Sequence, residues 1–289
     1  MDGNNILHQS FHKFEKLKST DGKPSGAIFG FFKSLHMYID RFQPDDVYIT
    51  FDNGHSPLRD KLLPNYKGHR KNISYDRESL FKQKAVIIKI LRILRIKYLY
   101  DKKNITGYEG DDLLAYIFFK KLNPEWSVTI VSSDKDFNQL LINDRIKIFN
   151  PRKEEYVRKT NCKELFGYSS EETVDYLSLV GDSSDDIPGV TGIGPVKARK
   201  LLDEYGSVSN YIHTNQNASD KVLEILDRNH KLIDLKWFVD NHKLDINKVL
   251  KEYTRGSINY GKFKEICIEY SFTSFMTDIF IEPFKKLLR

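Results

Sequence analysis

Nine acidic side chains, Asp2, Asp52, Glu109, Asp111, Asp112, Asp134, Asp136, Asp182 and Asp185, define the chemistry this chain could perform. Three of them open the run Gly107-Tyr108-Glu109-Gly110-Asp111-Asp112, ahead of apolar helical periodicity that continues to Leu122. Acids in a first helical turn complement the positive end of the helix dipole by about 0.3–1 kcal/mol each, and for this stretch alone that account suffices. The others change the reading. Asp52 and Asp134 end predicted strands, Asp136 follows two residues later, and Asp182 and Asp185 form an Asp-x-x-Asp pair. Packed within a few ångströms, such carboxylates cannot all stay ionised without cations. The constellation therefore points to divalent metal. Oxygen ligands, and two cysteines (Cys162 and Cys267) with no Cys-x-x-Cys spacing, favour a hard cation such as Mg²⁺ or Mn²⁺ over zinc.

The charge balance suggests what the metal would act on. The 289 residues carry 46 Lys+Arg against 40 Asp+Glu, a net +6, and residues 59–103 alone hold 14 basic and 4 acidic side chains. A basic chain with an acid cluster suits a polyanion: cations meet phosphates while carboxylates hold metal. In this region Leu63-Pro64-Asn65-Tyr66-Lys67-Gly68-His69-Arg70-Lys71 sets an aromatic among cations, a pattern suited to a stacked base and its backbone. Further along, Gly192-Ile193-Gly194 precedes a helix carrying Lys197, Arg199 and Lys200, so backbone N–H groups at a helix start can meet a phosphate. Lys82, Lys89 and Arg92 lie opposite the apolar stripe Val86, Ile87, Ile90, Leu91, Leu94 and read as a solvated face.

Positioning these groups requires strands that end in acids. Periodicity predicts helices over 25–42, 109–122 and 135–141 and strands over 47–51, 96–100, 128–131 and 146–150; residues 53–76 form a long aperiodic connection, and the chain is helical from 170–180 onward. The alternation implies an α/β fold with a mostly parallel central sheet and helices on both faces, whose strand ends gather the ligands. The most apolar stretch, 85–96, is interrupted by Lys89, Arg92 and Arg95, so a soluble protein in a reduced, cytoplasmic setting is expected.

In order and spacing these motifs resemble the structure-specific 5′ nucleases, the flap endonuclease and 5′-3′ exonuclease family that includes the nuclease domain of bacterial DNA polymerase I and phage exonucleases. Asp2-Gly3-Asn4 looks like the family's Asp-Gly-Asn, and Asp52 like its strand-end aspartate. Glu109-Gly110-Asp111-Asp112 matches Glu-x-Asp-Asp, and Ser132-Ser133-Asp134-Lys135-Asp136 matches Ser-x-Asp-x-Asp. Gly181 to Val190 resembles its Gly-Asp-x-x-Asp-Asn-Ile-Pro-Gly-Val element, with Asp186 where Asn is usual.

The resemblance implies a PIN-like α/β nuclease domain over 1–175, with a helical arch and basic helix within 53–104, and a helical domain over 176–289 carrying a helix–three-turn–helix element around 181–205. It implies two or more Mg²⁺ or Mn²⁺ ions: Asp2, Asp52, Glu109 and Asp111 at an inner site, Asp112 and Asp134 bridging or close by, and Asp136, Asp182 and Asp185 supporting a second ion. Tyr66, Lys67 and Arg70 would stand near the scissile end of the DNA, with Lys67 and Arg70 neutralising phosphate charge. Arg59, Lys71, Gly192, Gly194, Lys197 and Arg199 would bind DNA, and the glycine turn would hold K⁺ on its carbonyls. The implied activity is hydrolysis near 5′ ends, at flaps or RNA primers, by a monomeric, stand-alone enzyme of bacterial or phage-infected cytoplasm during replication or repair.

One departure concerns the start. Family members place the first aspartate at the end of an apolar strand, whereas here Asp2 follows only Met1, so further apolar residues are expected upstream and Asp2 is expected on a frayed end. Two alternatives compete with the nuclease reading. A non-catalytic DNA-binding module would leave the carboxylates unexplained, and a PIN-like ribonuclease would not need the elements after Gly181.

Overall fold

Helix α1 (Gly3–Lys13) begins directly at Asp2, whose carboxylate caps it by accepting the Asn5 N–H at 2.9 Å. Periodicity gave little warning of this helix, because its buried stripe (Ile6, Leu7, Ser10, Phe11) is narrow and set among His, Asn and Lys. The computed structural model describes residues 1–52, 54, 56–69, 75–104, 106–214, 219–251 and 257–288. Next come α2 (Gly26–Phe42), β1 (Tyr48–Phe51), α3 (Pro57–Leu62), α4 (Arg77–Leu94), β2 (Lys97–Tyr100) and α5 (Gly110–Tyr116). The expected helix over 109–122 is α5 followed by a π-helical turn, Ile117–Lys121. The connection expected to be aperiodic contains α3, started by Ser56 as its N-cap and Pro57 in its first turn.

Strand β3 (Val128–Val131) leads into a 3₁₀ turn, Lys135–Leu140, where an α-helix over 135–141 was expected. Then follow β4 (Ile146–Asn150), β5 (Glu155–Arg158), α6 (Cys162–Phe166), α7 (Thr173–Val180) and the hairpin β6 (Gly181–Asp182)–β7 (Ile187–Pro188). The remainder is helical: α8 (Pro195–Tyr205), α9 (Val208–Thr214), α10 (Asp220–Ile233), α11 (Leu235–Asn241), α12 (Ile246–Val249), α13 (Tyr260–Glu269) and α14 (Asp278–Lys286), with the short strand β8 (Leu250–Lys251) after α12.

The chain divides into two compact units. Unit one comprises Met1–Asp52, Ser74–Lys102 and Asp245–Arg289. Its β1 runs parallel to β2, and β8 adds an antiparallel edge. Helices α1, α2 and α4 pack over fully buried Ile28, Phe31, Phe32 and Leu35. The first residues join this sheet: Asp2 bridges Thr50 in parallel, and the Thr50 N–H donates to the Met1 carbonyl at 3.0 Å. Asp2 is 7% exposed and so is fixed beside β1, not frayed.

Unit two comprises Asn53–Ile73 and Lys103–Leu244. It repeats the pattern, with β3 parallel to β4 and β5 antiparallel at the edge. Strands β5 and β8 show no apolar run along the chain, β5 because it begins and ends on charged residues and β8 because it has only two residues. A second core in this unit gathers Tyr66, Tyr168, Tyr176, Leu177, Ile193 and Leu202. Among the described residues, no helix is long and apolar enough to cross a membrane.

Candidate active site

The start of α5 separates its three acids into different roles. Asp112 is fully buried: Arg59 grips it with both terminal nitrogens, at 2.6 and 2.8 Å, and it accepts the Glu109 N–H at 2.8 Å. A bidentate pair occupies both carboxylate oxygens, so Asp112, expected to bridge the ions or lie close by, serves in this arrangement as a counter-ion and helix cap. Arg59 is itself 3% exposed, stacks on the Phe238 ring at 4.3 Å and donates Nε–H to Leu232 O at 3.3 Å. Its guanidinium is thus committed to Asp112, Phe238 and Leu232, where a contact with DNA was expected. Asp111 is half-buried in the same turn, where its charge acts on Lys67.

Glu109 faces Tyr66 and Lys67. Its Oε2 lies 2.8 Å from the Tyr66 hydroxyl and 2.7 Å from Lys67 Nζ. Burial alone would raise its pKa, but the charges of Lys67 and Arg59 and the hydrogen bonds from Lys67 and Tyr66 prevail and hold it at about 2. The same two side chains reach Asp185 Oδ2, at 3.0 Å from the Tyr66 hydroxyl and 3.5 Å from Lys67 Nζ. The Lys67 N–H also donates to the Asp185 carbonyl at 2.9 Å. The Tyr66 ring, expected to stack on a base, is 2% exposed within the second core.

Asp185 belongs to a second acidic group. One carboxylate oxygen each from Asp136, Asp182 and Asp185 lie within 4.8 Å of one another. Asp134 at the end of β3 caps the 3₁₀ turn by accepting the Asp136 N–H at 3.0 Å, which turns Asp136 towards the β6–β7 hairpin. That hairpin is tied down by fully buried Asn229, whose amide donates to Ser178 O and Pro188 O at 2.9 and 2.8 Å. Asp182 Oδ1 is taken by Lys135 Nζ at 2.9 Å and by Ser184. Asp182 Oδ2 and Asp136 Oδ1, by contrast, are buried with no hydrogen-bond partner among the described residues. Burial, then the charges of Asp134, Asp182 and Asp185, push the Asp136 carboxyl well above the usual range. Burial also raises Asp134, while Lys135 and Ser184 overcome burial to hold Asp182 low. Unpartnered buried oxygens on converging acids are what a hard divalent cation would satisfy, so the residues fit such an ion.

Gly181 makes the hairpin possible: its φ is +83°, and an added Cβ would stand 2.4 Å from the Gly189 nitrogen and the Ile187 carbonyl oxygen. Gly181→Ala is therefore expected to cost about 1–3 kcal/mol through backbone strain and clash. Urea unfolding checks this, and an unshifted midpoint would show that the hairpin has room to adjust.

Asp2 and Asp52 lie in unit one, at the start of α1 and just past the end of β1. Gly3 lets the start of α1 lie close against β1, since a Cβ there would meet Thr50 O at 2.7 Å. Buried Lys84 donates to the Asp52 carbonyl and to Asn4 Oδ1; burial pushes its pKa down, against the charge of Asp52.

Of the proposed DNA contacts, Gly192, Gly194, Lys197 and Arg199 are exposed around the start of α8, with Gly192 at φ +79°. The Arg199 guanidinium packs over Gly167. Arg70 and Lys71 lie outside the described residues. Three participants were missed by sequence reasoning. Lys135 stands between two acids, the local signal of a counter-charge; Ser184 carries no signal; and Lys84 sits at an apolar-stripe position of α4.

Residues 1–167 match the 5′-3′ exonuclease N-terminal resolvase-like domain, and residues 168–254 the 5′-3′ exonuclease C-terminal SAM fold. A 5′-3′ exonuclease of Aquifex aeolicus is 34% identical over 212 residues, 73% of this chain and 71% of that protein. One from Buchnera aphidicola subsp. Schizaphis graminum is 31% identical over 285 residues, 94% of this chain and 96% of that protein. In fold the chain is similar to the flap endonuclease of bacteriophage T5 solved with DNA and metal ions, at 19% identity and a TM-score of 0.69 across 99% of this chain and 97% of that one.

Proposed function

The chain belongs to the 5′-3′ exonuclease family, and from that premise we propose that it hydrolyses phosphodiester bonds near 5′ ends and flaps of DNA, RNA primers included, leaving a 5′-phosphate and a 3′-hydroxyl. The observation that carries the reading is the Asp136–Asp182–Asp185 group, with two buried oxygens that have no hydrogen-bond partner among the described residues. These three, with Asp134, Glu109 and Asp111 nearby in the sequence motifs of unit two, are the ligands we propose there, and Asp2 and Asp52 those of unit one. Bound Mg²⁺ or Mn²⁺ supplies a water of lowered pKa and neutralises charge on the transferring phosphoryl group.

The protein's own part is orientation. The Tyr66 hydroxyl and the Lys67 ammonium each lie within reach of both Glu109 and Asp185, so they restrain the two carboxylates side by side. Lys67, 5% exposed and paired with Glu109 and Asp185, would also offset charge developing on a phosphate that enters beside Glu109 and replaces part of that pairing. We take the nuclease domain as 1–175 and the helical domain as 176–289, the enzyme as a cytoplasmic monomer, and the glycine turn before α8 as the K⁺ and duplex-backbone site.

The test is a 5′-labelled flap duplex incubated with Mg²⁺ and with EDTA. Short 5′-phosphorylated products in Mg²⁺ and none in EDTA are expected; cleavage that survives EDTA, or none in Mg²⁺, would refute the reading. Lys197 extends exposed from the first turn of α8. For Lys197→Ala, duplex binding should weaken on every sequence and the slope of log K against log salt should become shallower by about one. An unaltered slope would remove Lys197 from the interface.

A further inference from the structure

Lys84 occupies a position where an amphipathic helix calls for an apolar side chain. On α4, Leu80, Lys84, Ile87, Leu91 and Leu94 recur at helical spacing, and all five are buried. A lysine only 4% exposed loses most of its hydration, which is tolerable only when its ammonium finds acceptors. Here Nζ donates to the main-chain carbonyl of Asp52 and to Asn4 Oδ1 at 3.4 Å, and it lies 4.7 Å and 5.4 Å from the centroids of the Tyr100 and Phe51 rings. Asn4 stands in the first turn of α1, two residues after Asp2, and Asp52 follows the last residue of β1. One buried ammonium thus joins the two segments that carry the acids of unit one. Its hydrogen bond to Asp52 goes to the carbonyl and not to the carboxylate.

We propose that Lys84 is a positioning residue for cation binding: by clamping the Asp52 main chain to the Asn4 side chain, it holds the Asp2 and Asp52 segments at the spacing that receives a divalent ion. This rests on Asp2 and Asp52 being metal ligands, as in the function proposed above. A leucine or methionine would fill the same volume against Phe51 and Tyr100, but would leave the Asp52 carbonyl and the Asn4 amide without this donor. Outer hydrogen bonds of this kind fix ligand orientation and commonly change metal affinity by about 10–100-fold. Coulomb repulsion between the ammonium and an arriving cation works in the opposite direction, so the sign of the change separates positioning from simple charge.

Thermal unfolding across a Mg²⁺ titration, without nucleic acid, reads the effect independently of turnover. Lys84→Met keeps the apolar stem and removes the donor, and the Mg²⁺ concentration giving half of the stabilisation should rise about tenfold. Asn4→Ala removes one acceptor while leaving Lys84 in place; it should raise the same half-point by about threefold and carries the test if Lys84→Met does not fold. Half-points equal to wild type, whatever the melting temperatures without metal, would make Lys84 a structural ion and overturn the proposal. A half-point that falls in Lys84→Met would show repulsion dominating and overturn it equally. A wild type with no Mg²⁺-dependent shift would defeat the metal assignment itself, and this inference with it.

Discussion

Asp136→Asn is expected to abolish cleavage and at the same time stabilise the metal-free protein. Asp136 contributes one of three carboxylates converging within 4.8 Å, and its Oδ1 is buried without a hydrogen-bond partner among the described residues. Losing a charged ligand from a metal-dependent site should cost about 4 kcal/mol or more of transition-state stabilisation, about a thousandfold in rate. Without metal the sign reverses, because burial and the neighbouring Asp134, Asp182 and Asp185 make an ionised Asp136 unfavourable. A neutral amide of the same shape relieves that repulsion.

The pH dependence follows from the same shift. A carboxyl whose folded pKa is raised binds its proton more tightly in the folded state, so its contribution to stability is lost as pH rises from its ordinary value of 3.8 through the raised one. In EDTA, the difference in stability between Asp136→Asn and wild type should therefore widen with pH over that window. Saturating Mg²⁺ should narrow or invert the difference, since only wild type keeps the full ligand set. Melting temperatures over a pH series, with and without metal, check this; a variant less stable than wild type in EDTA at neutral pH would refute the account of repulsion.

Arg59→Met is expected to give the largest loss of stability of the substitutions considered. It would strand Asp112, fully buried, without the guanidinium that meets both its oxygens. Removing one partner of a buried ion pair costs about 3–5 kcal/mol, which for a chain of this size lowers the melting temperature on the order of 10 °C. Arg59 also carries the Phe238 stacking and the Leu232 carbonyl bond, so methionine forfeits some packing as well. The double variant Arg59→Met, Asp112→Leu leaves no orphaned charge and should recover most of the loss, because an apolar pair of similar volume avoids the desolvation penalty. A double-mutant cycle measures this coupling. If the two single losses simply add, the pair is not the structural tie described here.

Much of the site could be read from residue order. The strands at Val128–Val131 and Ile146–Asn150 and the helix at Gly26–Phe42 agree with the periodicity, because apolar residues fill or alternate along the two strands and recur at helical spacing along the helix. Helix α1, β5 and the two-residue strands give too little pattern along the chain, being respectively narrow-striped, charged at both ends and short. The helix α3 was hidden in a stretch whose prolines read as punctuation, although one of them begins it.

By itself the sequence determined the acids, their order, the strand ends and helix starts that present them, and the family to which that order belongs. These are properties of spacing along the chain, and local geometry converts spacing into direction within one element. Only the tertiary structure decided which acid keeps an unpartnered oxygen and which is spent on a cation of the protein's own. Arg59 meets Asp112 across 53 residues, and the Tyr66 hydroxyl meets Asp185 across 119. No local rule specifies such pairs: they follow from which elements pack together, and burial then fixes the charge state by removing the water that would otherwise screen it.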